Sequence, residues 1–379
     1  MYSISSQSVE DFPDLEITWR DLESRAKPSV FLSWSWIKHM LNLEQCGLKV
    51  LCVETEEKVI GLCLFCIRET RIFNLLTIKQ SYINRYGTED LDQIWIEYND
   101  FLVDASQGLT IKKAMLEYFF VNNLADEVIL GMSDTQSARD LSATLPEIKT
   151  RSIIQSFGYL TDLHNCESLE HYLDTLSKNT RAQIKRSYKL LRQSGQLELH
   201  EATTISEKLD FFRCAGERHR QRWANTEFGT GFNNPKFVKF HEALIADPHQ
   251  QHATRLFKLS LDTNELGYIY ILTQENKWLF YLSALNFHHD NRIKLGLVFH
   301  CFIIEQAIKN KVLCYDFLAG NARYKQSLSN KALYEQDLIC FYKKTVVLNL
   351  INLMRDVKSK LKTAFATFNN KITHIQNES

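Results

Sequence analysis

Short apolar runs separated by stretches of helical periodicity predict alternating strands and helices, most clearly over residues 280–328. Phe280–Leu285 is apolar and short enough for one strand, and apolar residues from Leu297 to Ile308 fall on one helical face. Residues 312–318 form a second short apolar run, and a further helix is predicted to begin near Asn321. This order of elements predicts an α/β fold built on mixed sheets.

The same layout occurs twice along the chain. Leu48–Ile83 and Arg255–Leu285 each read as a hairpin with a glycine early in its returning strand, followed by a helix and a strand. A length of 379 residues also favours two domains. We therefore predict two copies of one α/β unit, over residues 1–170 and 171–345, and a basic amphipathic helix over 346–379.

Charge and cysteine content narrow the class of protein. The chain carries 45 basic and 45 acidic residues, so it has no net attraction to nucleic acid or membranes. Nine scattered cysteines without framework spacing indicate a reducing compartment. The N-terminus has neither the basic nor the apolar segment of a signal peptide, so we expect a cytoplasmic protein without nucleic acid as a partner.

The sequence gives little support for a metal site or a covalent nucleophile. Cys63 and Cys66 form a C-x-x-C motif inside a strand-like run, where residues three apart face opposite sides. Neither a second cysteine pair nor grouped histidines accompany them, and neither an H-E-x-x-H nor a G-x-S-x-G motif occurs. We therefore predict no metal and no Ser/His/Asp triad.

Two segments concentrate positive charge. Lys178–Arg192 carries six basic residues and no acidic one, with Ser177 as its predicted N-cap. This segment reads as a solvated helix face, a cradle for an anionic donor or acceptor, or a contact for an RNA acceptor stem. Val346–Lys362 mixes apolar and basic residues, a pattern typical of a helix that packs on the preceding domain or lies on an anionic membrane.

A basic turn that contains glycine is the strongest candidate for a ligand site. Arg292-Ile293-Lys294-Leu295-Gly296 follows the Phe280–Leu285 strand and opens the next helix, where backbone N–H groups point toward an anion. The spacing matches neither the dinucleotide fingerprint nor the Walker loop, so the turn alone does not name its phosphate ligand.

The turn and the following segment Tyr315–Lys325 resemble the second half of the CelD-like and FemAB-like acyltransferases, a branch of the GNAT superfamily. The likeness spans Phe31 to Lys343. In that superfamily a basic loop with two glycines holds the pyrophosphate of acyl-CoA, and here the second glycine is missing. The resemblance implies two tandem GNAT-like units and acyl-CoA, expected as acetyl-CoA, as the co-substrate. The donor-binding residues would be Arg292, Lys294, Leu295, Gly296 and Leu297.

Candidate reacting groups follow in the same segment. Asp316, a carboxylate in an apolar strand, is the expected proton acceptor, and Tyr324 the expected proton donor to the departing thiolate. Both would have to face one cleft. Structural alternatives remain open: Asp316 caps the next helix or pairs with Arg323 or Lys325, and Tyr324 only packs.

Acceptor-binding residues are expected on three other elements. The resemblance places an acceptor-side helix and loop at Arg222 and Trp223. Tyr281 and Ser283 should share the polar face of their strand, opposite Leu282. Lys325 would contact a phosphate or a carboxylate, with a surface salt bridge as its alternative. These predicted substrate-binding residues are Arg222, Trp223, Tyr281, Ser283 and Lys325.

The expected activity is transfer of an acyl group from acyl-CoA to an amine or hydroxyl of an envelope or exopolysaccharide building block. The first copy has no basic residues beside Gly108, so it is expected to support the cleft without binding a donor. Two alternatives remain: a FemAB-like aminoacyl transferase that uses aminoacyl-tRNA, and a non-catalytic GNAT-like subunit of a polysaccharide assembly system. Membrane contact through the C-terminal helix is a further expectation.

Overall fold

The computed structural model describes residues 1–44, 47–72, 76–223, 230–248, 252–286 and 290–358. Within these ranges fourteen strands form one sheet. In chain order the strands are Ser3–Ser8 (β1), Lys49–Glu54 (β2), Val59–Ile72 (β3), Leu76–Ile83 (β4), Leu102–Val103 (β5), Glu127–Asp134 (β6), Ile148–Ile154 (β7), Phe157–Asp162 (β8), Leu197–Glu201 (β9), Thr254–Leu261 (β10), Asn264–Gln274 (β11), Lys277–Leu285 (β12), Cys314–Ala319 (β13) and Tyr334–Lys343 (β14).

The α-helices cover both faces of this sheet. They are Leu15–Ala26 (α1), Trp34–Leu41 (α2), Glu89–Asp92 (α3), Gly108–Val121 (α4), Thr135–Ala143 (α5), Leu169–Thr175 (α6), Lys178–Ser194 (α7), Ile205–Trp223 (α8), Pro235–Ala246 (α9), Leu295–Lys309 (α10) and Arg323–Leu328 (α11). A further helix covers 346–358. Among the described residues, none of the helices combines the length and apolarity needed to cross a bilayer.

The strand order shows two copies of one unit. Read from its two edges, the sheet runs β1-β2-β3-β4-β6 from one side and β9-β10-β11-β12-β13 from the other. Each half has antiparallel neighbours followed by one parallel pair, β4 with β6 and β12 with β13. A parallel pair needs a crossover connection, which α4 and α10 supply. The predicted α/β fold with mixed strands and two tandem units is therefore confirmed.

The two halves meet by crossing their last strands. The strand β14, from the end of the second half, lies antiparallel to β6, whereas β8 lies antiparallel to β13. The two crossing strands pair with each other where Tyr334 lies opposite Gly158. A Cβ atom on Gly158 would lie 1.9 Å from Cζ of Tyr334, so the crossing requires a glycine at this position.

Three main groups of buried side chains fill the space between the sheet and the helices. One packs under α4 and α5, a second packs under α6, α7 and α10, and the largest joins α1, α2, α8 and α9 across both halves. Cys63 belongs to the first group and Cys66 to the largest, so the two cysteines face opposite sides of β3 as the spacing predicts.

A polar plug fills the first half where its parallel strands diverge. The ladder between β4 and β6 covers only Gln80–Tyr82. Beyond it the Asn99 side-chain amide donates to the carbonyl of Ile83 at 2.8 Å and to that of Leu130. The Asn84 amide in turn donates to Oδ1 of Asn99 at 2.9 Å. Side chains of the first half itself therefore bridge this divergence.

We predict that Asn99→Ala lowers the free energy of unfolding by about 2–4 kcal/mol, because two buried carbonyls lose their donor. Urea unfolding followed by circular dichroism measures the change. The matched control is Asn122→Ala, which removes an exposed amide that bonds the Tyr118 carbonyl at the end of α4; it should change stability by less than about 0.5 kcal/mol. Equal midpoints for wild type and Asn99→Ala would contradict the role of the plug.

Candidate active site

The parallel strands of the second half also diverge, and a bulge accentuates it. Pairing between β12 and β13 covers only Lys277–Leu279. The register between β11 and β12 shifts so that Tyr270 lies opposite Leu282 and Ile271 opposite Phe280, which leaves Tyr281 as the extra residue. Such bulges bend a strand and often lie beside active sites. The carboxyl ends of these two strands therefore frame the candidate site.

The start of α10 forms one side of this site. Lys294 is the N-cap residue and makes no side-chain capping bond, while its backbone N–H donates to the Ser187 hydroxyl of α7 at 2.9 Å. Gly296 has ordinary helical backbone, and a Cβ atom there would meet only a Leu285 methyl at 3.4 Å. The predicted loop therefore lies at a helix N-terminus, and Gly296 can accommodate a Cβ atom at an ordinary van der Waals distance.

The charged residues of this loop are exposed. Arg292 pairs with the carboxylate of Asp290 at 2.7 Å, which raises the pKa of the guanidinium. Leu295 and Leu297 are buried and anchor the first turn of α10 in the core. The predicted donor-binding residues therefore divide into two buried leucines, a half-buried Gly296, and the exposed Arg292 and Lys294.

At the corresponding helix start in the first half, the anion is a side chain of the protein itself. Asp104 lies just ahead of α4 and accepts from the Ser106 backbone N–H at 3.1 Å. The Ser106 hydroxyl bond, with help from Lys58 and Arg25, holds the pKa of Asp104 well below its usual range. The Asp104 carboxylate occupies this helix start together with Arg25 and Lys58, whereas at α10 the Asp290 carboxylate pairs with Arg292 and Lys294 lies exposed beside the first turn.

A buried carboxylate occupies the opposite face of β13. Asp316 is fully buried and accepts hydrogen bonds from the hydroxyls of Tyr98 at 2.5 Å and Tyr334 at 2.9 Å, and from the Leu318 N–H at 2.9 Å. Burial raises the pKa of Asp316, although these bonds oppose the rise. Its hydrogen bonds come from two distant tyrosines and a backbone N–H, and Lys325, one of the alternative partners, is near enough for its charge to interact with that of Asp316.

Backbone strain marks the same cluster. Tyr98 and Leu318 both have positive φ, with values of 47° and 58° that non-glycine residues rarely adopt. The surrounding contacts hold both residues in this conformation, at a cost on the order of 1–3 kcal/mol each. Residues in this conformation cluster at functional sites, which supports a functional role for the cluster.

Glu97 is a second carboxylate at this position, and the sequence pattern did not point to it. It accepts from the Ala319 N–H at 2.8 Å. Burial raises the pKa of Glu97 to about 7, against the opposing effects of that N–H and of Lys325. The Lys325 ammonium donates to the Ala319 carbonyl at 2.6 Å, and burial lowers its pKa. Lys325 is only 8 % exposed, so the surface salt bridge expected as its alternative is wrong.

Tyr324 lies on the other face of β13 and is not brought together with Asp316. Its ring stacks on His300 with centroids 5.5 Å apart and packs against Phe280 and Phe317. Burial raises the pKa of Tyr324 to about 12, with the Arg222 guanidinium opposing. Burial also lowers the pKa of His300 to about 3, so this imidazole is neutral. Asp316 points to one face of β13 and Tyr324 packs on the other, so the structure does not bring the two side chains into one cleft as expected.

The predicted acceptor residues fall into different surroundings. Arg222 is exposed near the end of α8, and its guanidinium is close enough to Tyr324 to influence its ionisation. The side chain of Trp223 lies outside the described residues. Because Tyr281 is the bulged residue, it packs against the same core group as Leu282, so the predicted alternation fails there. Ser283 is half-buried further along the strand.

The Tyr281 hydroxyl forms hydrogen bonds with groups inside the protein. It donates to the Ile94 carbonyl at 2.6 Å and lies 3.1 Å from Nε2 of His241. The bond to Ile94 joins β12 to the first half of the chain, and the contact with His241 joins it to α9 of its own half. Through these contacts Tyr281 fixes the position of the bulge.

A cleft of about 380 Å³ opens beside the Asp316 cluster, between the two halves. Tyr98 and Lys112 line it from the first half, and Lys277 and Leu279 line it from the second. The Lys277 ammonium lies 5.5 Å from the centre of the Tyr98 ring. Leu279 is the register partner of Asp316, so the cleft approaches the point where β12 and β13 begin to separate.

We predict a specific pH dependence for Glu97→Gln. An unfolded Glu97 ionises near its ordinary pKa of 4.5 and the folded carboxyl near 7, so folding takes up a proton between these values. Stability of the wild type should therefore fall relative to Glu97→Gln as pH rises from 4.5 to 7, by on the order of 1–3 kcal/mol. Urea unfolding at pH 5 and pH 8 measures the difference. Glu56→Gln, at an exposed turn, is the control; a flat difference for Glu97→Gln would refute the raised pKa.

Comparison with known proteins agrees with this architecture. Residues 178–326 match the model of the acetyltransferase (GNAT) domain. A FemX crystal structure superposes with a TM-score of 0.56 at 10 % identity, covering 93 % of this chain and 100 % of that one. L-PGS from Bacillus licheniformis gives 0.54 at 10 % identity, over 92 % and 98 % of the two chains. The C-terminal domain of a putative lysylphosphatidylglycerol synthetase from Agrobacterium fabrum gives 0.51 at 9 % identity, over 89 % and 95 %.

Sequence comparison with curated proteins found no match. In the part of the chain that the structure describes, no group of three or more His, Cys, Asp or Glu side chains is placed to hold a metal ion. The family model covers the half that contains α7, α10 and α11, and the structural likeness extends over both halves. The chain therefore shares the fold of these structures over both of its halves, and residues 178–326 match a GNAT acetyltransferase domain.

Proposed function

We propose that the protein transfers an acyl group, expected to be acetyl, from acyl-CoA to an amine or hydroxyl of an envelope or exopolysaccharide building block. The divergence of β12 from β13 carries this proposal, because it has an anion-binding helix start on one face and titratable carboxylates on the other. The free cysteines of the described chain agree with a cytoplasmic location.

The donor would bind on the face that contains α10 and α11. Backbone N–H groups at the start of α10, with Lys294 beside them, suit the pyrophosphate of CoA. Beyond Leu279, β12 no longer pairs with β13, so backbone N–H groups on that edge can polarise a thioester carbonyl. Tyr324 lies on this same face and would protonate the departing thiolate.

The acceptor would approach from the opposite face, through the cleft beside Tyr98. A carboxylate whose pKa is about 7 is half ionised at neutral pH, which suits Glu97 to accept a proton from an ammonium group. Asp316 holds Tyr98 and Tyr334 around this position and is the second candidate for the same proton. Nucleophilic attack then proceeds across the strand edge, without a covalent enzyme intermediate.

A second candidate function, aminoacyl transfer from aminoacyl-tRNA, is favoured by one observation. The basic side chains of α7 form an exposed row next to the proposed donor site: Lys185, Arg186, Lys189 and Arg192. The same helix contacts the loop before α10, because the Ser187 hydroxyl accepts a hydrogen bond from the Lys294 N–H at 2.9 Å. At 100° per residue, Lys185, Lys189 and Arg192 lie about 140–200° around α7 from the buried Ser187, so an RNA bound to this row would contact the outer side of the helix that supports the donor loop.

We predict that the protein binds CoA with micromolar-class affinity, roughly −8 kcal/mol, and that Gly296→Glu weakens this by about 10–100-fold. The new carboxylate would repel the pyrophosphate, yet an acidic residue in the first turn is favourable for the helix itself. Calorimetry with CoA and dephospho-CoA measures the affinity, and thermal melting confirms the fold.

Gly108→Glu is the matched control for that experiment. Gly108 also opens a helix, and a Cβ atom there would meet only a Val103 methyl at 3.9 Å. It should leave CoA affinity unchanged, with one CoA bound per chain. A stoichiometry of two, or unaltered binding by Gly296→Glu, would contradict the proposed donor site. A shift of aminoacyl-tRNA by protein that ignores CoA would favour the second candidate function.

We predict that Asp316→Asn and Tyr324→Phe each lower turnover by about 10²–10⁴-fold while CoA affinity changes little. The assay follows thiol release from acetyl-CoA with a panel of amino sugars and sugar alcohols as acceptors. Structural roles alone would give a different pattern: a lower melting temperature for Asp316→Asn and no effect of Tyr324→Phe. CoA binding without turnover by any acceptor would instead support the non-catalytic subunit.

A further inference from the structure

The helix over 346–358 has two apolar faces, and the residues that the structure describes cover one of them. Leu348 and Ile351 are buried and pack with Ile78 and Tyr342 of the sheet. A second row of large apolar side chains faces outward, each at least 49 % exposed. Its members are Val346, Val347, Leu350, Leu353, Met354 and Val357.

The exposed row forms one stripe. At 100° per residue, positions 346, 350, 353, 354 and 357 fall within a third of the helix circumference. A soluble protein rarely exposes so many large apolar residues on so few turns, and such patches mark contact surfaces. On the opposite side of the helix, Ile72 of β3 packs against the buried face, so the sheet covers that side and not the stripe.

Charge around the stripe is positive. The one acid of the helix, Asp356, pairs with Arg151 at 3.4 Å, while Arg355 pairs with the buried Glu127 at 2.5 Å. Lys344 and Lys358 are exposed just before the helix and at its last residue. The sequence that follows adds Lys360 and Lys362 before any further acid. The stripe is therefore flanked by lysines at both ends.

We propose that this helix lies on the surface of an anionic bilayer, with the apolar stripe at the acyl-chain boundary and the flanking lysines among lipid phosphates. Apolar burial and attraction to anionic lipid act together in this arrangement. A second copy of the chain is a poorer occupant, because a two-fold contact would bring the same lysines of both copies together. The proposal does not depend on the acyl-transfer function, which uses the other half of the sheet.

The test is co-sedimentation of the full-length protein with phosphatidylcholine vesicles that contain, or lack, about 30 mol % phosphatidylglycerol. Binding is expected with the anionic vesicles and should fall as salt concentration rises. The double variant Leu350→Glu/Leu353→Glu should weaken it by at least about tenfold, because two of the apolar anchors are lost. Lys344→Glu/Lys358→Glu should weaken binding to anionic vesicles through the opposite change of charge.

Val121→Glu is the matched control, since Val121 is an equally exposed apolar residue at the end of another helix, 76 % accessible. It should bind vesicles as the wild type does, and all variants should keep the wild-type melting temperature and CoA affinity. Failure of the wild-type protein to sediment with anionic vesicles overturns the proposal. A concentration-dependent dimer in analytical ultracentrifugation that Leu350→Glu/Leu353→Glu abolishes also overturns it, because the stripe would then bind a second copy.

Discussion

Asp316 accepts hydrogen bonds from Tyr98 of the first half and from Tyr334 of the strand that crosses between the halves. A fully buried carboxylate is costly unless its oxygens are satisfied, and charge-assisted bonds of this kind contribute about 1.5–3 kcal/mol each. The crossing of β14 over β8 brings Tyr334 within reach, and it requires the missing side chain of Gly158. One contact thus links strand topology, the join between halves and the candidate site.

A single loop serves both divergent strand pairs. Asn99 fills the opening of its own half with a neutral amide, whereas the two residues before it, Glu97 and Tyr98, reach the opening of the other half. The positive φ of Tyr98 makes the turn between these two directions. The two halves have similar openings between their parallel strands. The loop fills the first opening with the neutral Asn99 amide, and it places the titratable side chains of Glu97 and Tyr98 at the second.

The local sequence pattern predicts the helices and strands, but it does not predict the contacts between residues far apart in the chain. The hairpins, α10, and α7 with its Ser177 cap follow from periodicity and capping rules, and the structure has them. Asp316 and Lys325 were identified as candidates, yet their surroundings depend on Tyr98 and Glu97, more than two hundred residues earlier. Chain periodicity carries no information on such pairs. The bulge at Tyr281 was also unforeseen, because alternation assumes an uninterrupted ladder.

The two faces of β13 differ in the kind of chemistry they permit. On the face that we propose for the donor, burial keeps His300 and Tyr324 neutral at pH 7, so the tyrosine retains the proton that a thiolate would need. On the face that we propose for the acceptor, the pKa of Glu97 lies near neutrality, where a carboxyl can take up a proton. The alternating side chains of β13 separate the two sets of groups, because Phe317 packs against Tyr324 and Asp316 bonds to Tyr98. In the proposed reaction, the residue that accepts a proton and the residue that donates one are therefore different, and the acyl group would lie at the strand edge between them.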